Sequence, residues 1–278
     1  MAEITGAAAF FDVDGTLVWH DYEKIKTMTP EEVQALPPIR PSRTVYEAFD
    51  RMREAGNLTF ICTGRHLPFI PRSIRDLNPD GFVAGAGAFV SVGDEVVRAE
   101  FIERDLLLET AARFVEAGLD ITLEGDDDNV ELNPSGRPAR LPGSRLARTV
   151  DDVVEFMREH RYSKFCTDGV SEKDLEPLRD FIDEHFTLCD LQGGVFELSL
   201  IGVDKGTGIE AALAHLGHGR KDTFAFGDSE NDLPMRGAVE TFVAMGNALE
   251  NVREVADYVT GTAAEEGVPA ALERFGLI

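Results

Sequence analysis

The chain has 278 residues, 43% of them hydrophobic, enough for one large domain or two smaller ones with a real core. Its formal net charge of −24 disfavours binding to nucleic acid or to an anionic membrane, because both carry charge of the same sign. Three cysteines at spacings that match no zinc site or disulfide framework indicate reduced thiols and a cytoplasmic protein. We expect neither a signal peptide nor a membrane span, since no basic, apolar leader or long apolar stretch is present.

The first predicted strand ends in two carboxylates. The apolar run 7–11 is typical of a buried strand that stops before Gly15, and Asp12 and Asp14 follow it. Because side chains alternate along a strand, the two acids would face the same way at its exit. Carboxylates rarely lie beside a buried strand without a partner, and a metal ion is the simplest one. A calcium loop of the EF-hand type is disfavoured, since Leu17 occupies the position that requires glycine.

Beyond the two acids, the chain alternates between predicted helices and strands. A long polar loop with one short helix is predicted over Trp19–Arg40, followed by a helix over 42–55 and a strand over 58–62. A second helix over 69–77 and a strand over 81–84 complete a β-α-β-α-β order. Helix-length connections between strands indicate a Rossmann-like, doubly wound parallel sheet of the α/β class.

The middle of the chain, residues 86–191, shows a different pattern of mostly hairpin-linked strands and separate helices. It predicts an inserted α+β module, so that residues 1–85 and 192–278 form one interrupted α/β domain. The elements predicted in and around this module are hairpins over 89–101, 121–132 and 186–200, helices over 103–117, 149–160 and 171–185, a strand over 162–167, and a loop over 133–148.

The β-α alternation resumes in the last quarter of the chain. A helix over 205–216 precedes a strand over 223–227, and Asp228, Asn231 and Asp232 follow that strand. The remaining predicted elements are helices over 233–238, 248–256 and 268–275 and strands over 241–245 and 258–259.

Three of the predicted strands end in residues that can perform chemistry. Asp12 and Asp14 follow the first, Thr63 follows the second, and Asp228 follows the strand over 223–227. In an open parallel sheet, ligands bind outside the carboxyl ends of the strands, so we expect these side chains to converge. Three aspartates from two strand ends favour a hard, oxygen-ligated ion that keeps some water, and Mg²⁺ fits best.

The chain resembles the haloacid dehalogenase (HAD) superfamily in four motifs that occur in the family's order. They are Asp12-Val13-Asp14-Gly15-Thr16-Leu17, Thr63-Gly64-Arg65, Gly202-Val203-Asp204-Lys205-Gly206 and Gly227-Asp228-Ser229-Glu230-Asn231-Asp232. The insertion between the second and third motifs resembles the large cap, type C2B, of the Cof-type (subfamily IIB) phosphatases, and residues 243–248, 257–260 and 266–268 are similar to that branch as well. The Trp19–Arg40 stretch is longer than the family usually has there.

The resemblance implies a magnesium-dependent phosphatase that hydrolyses phosphomonoesters of small metabolites such as sugar phosphates. Asp12 would be the nucleophile that forms an aspartyl-phosphate, and Asp14, with its pKa raised by burial and neighbouring acids, would carry the proton. Mg²⁺ would bind Asp12, the backbone carbonyl of Asp14, and Asp228.

The resemblance also implies a set of residues that hold the phosphoryl group. The Thr63 hydroxyl and the Lys205 ammonium would bind its oxygens, and Lys205 would supply positive charge in an acidic protein. The residues expected to bind phosphate are Thr63, Gly64, Arg65, Lys205 and Asn231. Asn231 would orient the phosphoryl group or Lys205, and Asp232 would orient the ligands from behind them.

Several alternatives stay open at this point. A phosphomutase resembling the phosphomannomutases shares this cap type, and a non-catalytic phosphometabolite-binding protein could retain the fold. Lys164, on a predicted cap strand, is a further candidate for substrate contact, and the acidic run 124–128 is predicted as a solvated hairpin turn. The cap arginines, predicted to lie on a surface loop, are Arg137, Arg140, Arg145 and Arg148. The motifs name neither the substrate nor the oligomeric state, for which we expect a monomer or a homodimer.

Overall fold

The computed structural model of the protein describes residues 6–19, 28, 40–139, 141 and 143–278. The long loop and short helix predicted within Trp19–Arg40 therefore lie outside the described residues, apart from positions 19, 28 and 40, and so does Arg140. Among the described residues, no helix combines the length and the apolar character that crossing a membrane requires.

The described part of the chain forms two sheets with helices packed on them. The strands, in chain order, are β1 Ala8–Phe11, β2 Leu58–Cys62, β3 Gly81–Ala84, β4 Phe89–Val92, β5 Glu95–Ala99, β6 Ile121–Gly125, β7 Asn129–Leu132, β8 Arg145–Ala147, β9 Tyr162–Thr167, β10 Phe186–Asp190, β11 Phe196–Leu200, β12 Thr223–Gly227, β13 Thr241–Ala244 and β14 Tyr258–Val259. The helices are α1 Arg43–Glu54, α2 Arg72–Arg75, α3 Arg104–Ala117, α4 Val150–Phe156, α5 Glu172–Leu175, α6 Arg179–His185, α7 Lys205–Leu216, α8 Met235–Ala238, α9 Glu250–Val255 and α10 Gly267–Arg274.

The larger sheet has eight strands in the order β14-β13-β12-β1-β2-β3-β4-β5. Its strands from β14 to β3 run parallel, and the hairpin of β4 and β5 continues the sheet in antiparallel fashion. The chain winds outward from β1 in both directions, so the strand order reverses between β1 and β12. This confirms the predicted doubly wound α/β core and places a ligand-binding crevice at that reversal.

Burial explains why β1 occupies the centre of this sheet. All of its side chains are inaccessible to solvent, and Phe11 stacks on Phe226 of β12 with ring centroids 4.8 Å apart. Phe10 stacks in the same way on Phe60 of β2 at 4.8 Å. Removing each such ring from water contributes roughly 1.5–3 kcal/mol, which anchors the chain immediately before Asp12.

The helices of the core begin largely where their capping residues predict. Ser42 accepts a hydrogen bond from the Val45 amide at 3.1 Å and starts α1, whose buried residues recur at helical spacing. The helix predicted over 69–77 is shorter than expected, because only α2 is helical there. Proline lacks the amide hydrogen that a helix interior needs, so Pro71 precedes this helix instead of lying within it.

The second sheet has six strands in the order β10-β11-β9-β6-β7-β8 and forms the cap. Its pairs are antiparallel except for β7 and β8, and a separate apolar cluster fills the space between the sheet and α3 to α6. Two predictions need correction. The loop predicted over 133–148 contains β8, and the helix predicted over 171–185 is divided by a 3₁₀ turn that contains Pro177.

Strand pairing places the limits of the cap differently from the predicted positions 86 and 191. β4 and β5 follow residue 86 but extend the core sheet, whereas β11 follows residue 191 but pairs with β9 and β10 in the cap sheet. Ile102 already belongs to the apolar cluster of the cap. We therefore propose that the cap comprises residues 100–201, because hairpin periodicity reveals a strand but not the sheet that it joins.

Candidate active site

The first two functional acids follow β1 at the point where the strand order reverses. The Asp12 amide donates to the Phe226 carbonyl at 3.0 Å, which continues the pairing with β12 and brings Asp12 beside Asp228. Gly15, whose φ is +91°, turns the chain directly after Asp14. A Cβ atom there would lie 2.2 Å from Asp228 Oδ2. Only glycine permits this backbone conformation and this close approach.

Lys205 reaches the same place from the start of α7. Its Nζ donates to Asp12 Oδ1 at 2.7 Å and to Asp232 Oδ1 at 2.6 Å, and the residue is only 1% exposed. A lysine at a helix N-terminus faces the positive end of the helix dipole, so the two carboxylates offset an unfavourable position. They also raise the pKa of Lys205 well above its ordinary value, although burial alone would lower it. Lys205 is therefore an ammonium ion.

The carboxylates collected here are difficult to ionise together without a cation. Burial is the main cause that raises the pKa of Asp12 to about 7, outweighing the opposite effect of Lys205, and Asp232 adds to it. Burial likewise raises the pKa of Asp228 to about 9, with further contributions from Asp12 and Asp232. A divalent cation bound between the two acids would replace their protons.

The donor set fits a small divalent metal ion. Oxygen atoms of Asp12, Asp228 and Asp232 all lie within 4.8 Å of one another. Asp232 already uses both oxygens, because Oδ1 accepts from Lys205 and Oδ2 accepts from the amides of Asp228 and Ser229 at 2.8 and 2.9 Å. Asp12 and Asp228 are consequently the side chains that could ligate the metal, and Asp232 positions them from behind.

Asp14 has a different environment from Asp12. The Arg65 guanidinium donates to both of its oxygens, from Nε at 2.8 Å and from Nη2 at 2.9 Å, and each side chain is about one-third exposed. Phosphate binding by Arg65 stays a prediction, and in the structure Arg65 borders the cavity and pairs with Asp14. A two-point contact of this kind fixes the orientation of the carboxyl group.

The other predicted phosphate-binding residues lie around the same space. Thr63 is buried at the end of β2, and Gly64 follows it. The Asn231 amide nitrogen donates to Glu197 at 3.3 Å, and its oxygen accepts from Ser229 at 2.9 Å. Asn231 therefore contacts the cap, whereas Asp232 contacts Lys205.

A cavity of about 790 Å³ lies between the core and the cap. Every predicted catalytic or phosphate-binding residue borders it, together with the predicted metal ligands: Asp12, Asp14, Thr63, Gly64, Arg65, Lys205, Asp228 and Asn231. The structure thus brings together residues from four separate stretches of the chain, with the buried Asp232 behind them.

The cap also contributes residues to the cavity, most of which the sequence did not predict there. Lys164, left open as a candidate, borders it, as do Cys166, Glu124 and Glu197. Glu124 was predicted to belong to a solvated hairpin turn, but it faces the cavity from β6. The described cap arginines have other partners: Arg137 pairs with Asp120, Arg145 with Asp128, and Arg148 with the Asn133 carbonyl. The alternation of polar and apolar residues in β9 and β11 could have predicted that one face of the cap sheet carries these polar side chains.

Asn247 was also missed as a contact residue of the site. Its amide nitrogen donates to the Gly15 carbonyl at 2.8 Å and lies 3.5 Å from Asp228 Oδ2, while its oxygen accepts from the Ala263 amide at 2.9 Å. It therefore ties the turn after β1 to the acid after β12. Sequence comparison with the family marks the segment 243–248, but only the fold shows this contact.

Comparison with known families gives a match over almost the whole chain. The family model of haloacid dehalogenase-like hydrolases matches residues 9–272. A Bacillus subtilis (strain 168) protein named "Putative phosphatase YkrA" is 28% identical over 278 residues, which cover 97% of both chains. The HMP-PP phosphatase of Klebsiella pneumoniae (strain 342) is 25% identical over 256 residues, covering 88% of this chain and 86% of that protein.

Solved structures show the same fold. BT1666 from Bacteroides thetaiotaomicron, a phosphatase of the HAD superfamily, superposes with a TM-score of 0.81 at 22% identity and covers 100% of this chain and 97% of its own. The HAD subclass IIB sugar phosphatase BT4131 superposes with a TM-score of 0.78 at 24% identity, covering 98% of this chain and 100% of its own. Core and cap are therefore arranged as in that subclass.

Proposed function

This chain belongs to the haloacid dehalogenase-like hydrolase family, in its Cof-type branch, and is a phosphatase; we propose that it hydrolyses phosphomonoesters of small metabolites through an aspartyl-phosphate intermediate. Two relatives that align over most of their length are named phosphatases, and the name of one, the HMP-PP phosphatase, gives a small phosphorylated metabolite as its substrate. The observation that carries the proposal is the buried contact between Asp12 and Lys205, which holds a carboxylate and an ammonium at the phosphoryl end of the cavity.

Asp12 acts as the nucleophile in this proposal. Its carboxylate oxygen attacks phosphorus, the bond from phosphorus to the leaving alcohol breaks, and the alcohol oxygen takes a proton from Asp14. Water then attacks phosphorus, Asp14 takes the proton back, and inorganic phosphate leaves Asp12 free again. Lys205 and Thr63 stabilise the charge on the transferred oxygens, since such reactions depend mainly on positioning and electrostatics.

A divalent ion, in our proposal Mg²⁺, would be held by Asp12, Asp228 and the backbone carbonyl of Asp14. When bound, it supplies positive charge that offsets the collected carboxylates and polarises the phosphoryl group. Asp232 and Asn247 keep Asp228 in place through the contacts described above, and Lys205 holds Asp12. Crowded carboxylates with raised pKa values are what support this assignment.

Arg65 positions Asp14 for its proton transfers. The two-point contact holds the Asp14 carboxyl group in one orientation, as a group that passes a proton in both steps requires. Both side chains border the cavity in which the leaving group would lie.

The substitution Asp12→Asn tests the mechanism directly. We expect it to lower phosphate release from p-nitrophenyl phosphate in the presence of Mg²⁺ by more than about a thousandfold, because an amide cannot form the acyl phosphate. The matched control is Asp105→Asn, an acid on α3 that is 99% exposed. Appreciable turnover by a correctly folded Asp12→Asn protein would exclude this nucleophile. With a hexose phosphate as the substrate, recovery of its isomer in place of inorganic phosphate would instead indicate a phosphomutase.

A further inference from the structure

The cap closes the cavity with a group of ionisable side chains that the proposed chemistry does not use. Glu124 lies on β6, Lys164 and Cys166 lie on β9, and Glu197 lies on β11, which are neighbouring strands of the cap sheet. In register, Lys164 faces Glu124, and Cys166 faces Glu197. All four residues border the cavity, and we call them the cap cluster.

The cap cluster is held together by short contacts in a buried place. Lys164 Nζ donates to Glu197 Oε2 at 2.6 Å and lies 3.0 Å from Glu124 Oε2, and Cys166 Sγ donates to Glu124 Oε1 at 3.0 Å. The side chains of Lys164 and Glu197 are only 3% and 4% exposed. Burial alone would raise the pKa of Glu197, but the Lys164 ammonium outweighs it and keeps the carboxylate charged.

A purely structural role does not account for these charges. Burying an ion pair usually costs as much free energy as the pairing returns, and apolar residues of similar size are often equally stabilising. The cap sheet uses such residues elsewhere, since Phe165 and Leu198 alternate with the cluster and pack in the apolar interior of the cap. Charges kept at the wall of a cavity are typical of ligand recognition.

The cap cluster contacts the core at Asn231 and Gly64, two of the residues predicted to bind the phosphoryl group. Glu197 Oε1 accepts from the Asn231 amide at 3.3 Å, and a Cβ atom at Gly64 would lie 3.1 Å from Glu197 Oε2. The part of the substrate attached to the phosphoryl group would therefore lie in the cavity beside this contact between core and cap, next to the cap cluster.

This wall of the cavity is acidic. Asp190, at the end of β10, borders the cavity with Glu124 and Glu197, so of the described residues on this wall three are carboxylates and one, Lys164, is an ammonium. Among the described residues that border the cavity, Arg65 and Lys205 are the other cations, and both are paired with the catalytic acids. A second anionic group on a substrate would be repelled here at close range and low dielectric.

We propose that Glu124, Lys164 and Glu197 select the leaving group by its charge, accepting polyols that are uncharged or carry an amine and rejecting those with a second anion. The inference rests on the proposed phosphatase activity and names the substrate class for the same cavity. The two carboxylates accept hydrogen bonds from hydroxyl or ammonium groups, and the Lys164 ammonium donates to hydroxyl oxygens. A carboxylate or a second phosphate on the leaving group would meet a net negative wall.

Two matched pairs of substrates test the selection by charge. Sorbitol 6-phosphate and 6-phosphogluconate differ only in a hydroxymethyl or a carboxylate group at the far end, and glucose 6-phosphate and glucosamine 6-phosphate differ in one hydroxyl or amine. In steady-state phosphate-release assays with Mg²⁺, we expect kcat/KM for 6-phosphogluconate to be at least about tenfold below that for sorbitol 6-phosphate. We expect glucosamine 6-phosphate to be at least as good as glucose 6-phosphate.

Substitutions in the cap cluster attribute the selection to these residues. Glu197→Gln and Glu124→Gln should each reduce the ratio of kcat/KM between sorbitol 6-phosphate and 6-phosphogluconate by at least about threefold, because each removes one negative charge from the wall. Both kcat/KM values in the ratio are measured on the same variant, so a lower concentration of folded enzyme changes them equally and leaves the ratio unaffected. The control is Glu159→Gln, a cap acid that is 78% exposed and should leave the ratio unchanged.

The outcomes separate this inference from the proposed function. Equal kcat/KM values for sorbitol 6-phosphate and 6-phosphogluconate, or a ratio that neither Glu197→Gln nor Glu124→Gln changes, would overturn the selection by charge and leave the phosphatase intact. Absence of phosphate release from all four compounds and from p-nitrophenyl phosphate would overturn the proposed function and this inference with it.

Discussion

Asp12 and Asp14 are separated by a single residue, yet they have opposite surroundings. Asp12 is buried against Lys205, whereas Asp14 is partly exposed and held at two points by Arg65. The difference follows from the backbone, because β1 ends at Phe11 and the turn at Gly15 directs the next side chains differently. Our proposal uses this difference when it gives Asp12 the role of nucleophile and Asp14 the proton transfers.

At the scale of these residues, we predict that Mg²⁺ stabilises the protein more strongly as the pH rises from 6 to 9. Burial raises the pKa of Asp12 to about 7 and that of Asp228 to about 9, against 3.8 in the unfolded chain. The folded state therefore keeps these protons at a pH where the unfolded chain has lost them. Their stabilising contribution is present at low pH and is lost as the pH rises through 7 and 9. Mg²⁺ replaces the protons, so its effect grows over the same range.

Thermal unfolding in EDTA and in excess Mg²⁺, at a series of pH values and equal ionic strength, measures this effect. Asp228→Asn should remove most of the pH dependence, because it removes the acid with the higher pKa. A rise in melting temperature on adding Mg²⁺ that is the same at pH 6 and pH 9 would contradict the assigned pair of ligands.

Among the elements, α7 places the side chain of Lys205, to which our proposal gives a catalytic role. Asp204 accepts a hydrogen bond from the Thr207 amide at 2.7 Å, and the Asp204 amide donates to the Thr207 hydroxyl at 3.1 Å. This reciprocal cap starts the helix at Lys205 and fixes the direction of the lysine side chain. Local sequence predicts the helix start, whereas the site role of Lys205 is a prediction from the resemblance to the family.

We predict that Asp204→Ala lowers the free energy of unfolding by about 1 kcal/mol and kcat/KM by roughly tenfold. The loss of the cap frees the first turn of α7, and Lys205 then samples positions away from Asp12. Asp204→Asn, which keeps a capping oxygen, should retain most of both quantities. Urea unfolding and phosphate-release kinetics measure them. Wild-type kinetics in Asp204→Ala would mean that the ion pairs alone hold Lys205.

In the whole molecule, the core and the cap meet through buried polar contacts around the cavity. Ser163 Oγ of the cap lies 2.8 Å from His66 Nε2 of the core, and the Asp190 amide donates to Glu230 at 2.7 Å. A Cβ atom at Gly85 would lie 2.4 Å from the His66 ring, so the core closes tightly around this histidine. These contacts link the position of the cap to the strand ends that form the site.

We predict that the protein loses stability as the pH falls from about 6.5 to about 4 because of His66. Burial is the main cause that lowers its pKa from 6.5 to about 4, and nearby Lys164 adds to it. The unfolded chain therefore takes up a proton in this range before the folded state does, which removes up to about 3 kcal/mol from the free energy of unfolding. NMR titration of the imidazole should give a midpoint well below 6.

The variant His66→Gln separates this effect from that of Asp12 and Asp228, whose raised pKa values increase stability as the pH falls. Its free energy of unfolding should fall less than that of the wild type between pH 6.5 and 4. The control His215→Gln, whose side chain is 33% exposed, should follow the wild type. A normal titration midpoint for His66 would contradict the tight closure of the core around it.

Local sequence was sufficient for most elements and for the core of the site. The apolar run before Asp12, the glycine after it and the helix that begins at Lys205 depend on near neighbours, so their positions could be predicted. The sheet that each strand joins could not, because β4 and β11 pair with partners far away in the chain. The tertiary structure decided which face of the cap sheet covers the cavity. The alternation of residues in β9 and β11 marks one polar face of the cap sheet. Lys164 and Glu197 line the cavity of the candidate active site because the cap packs on the core with that face toward it.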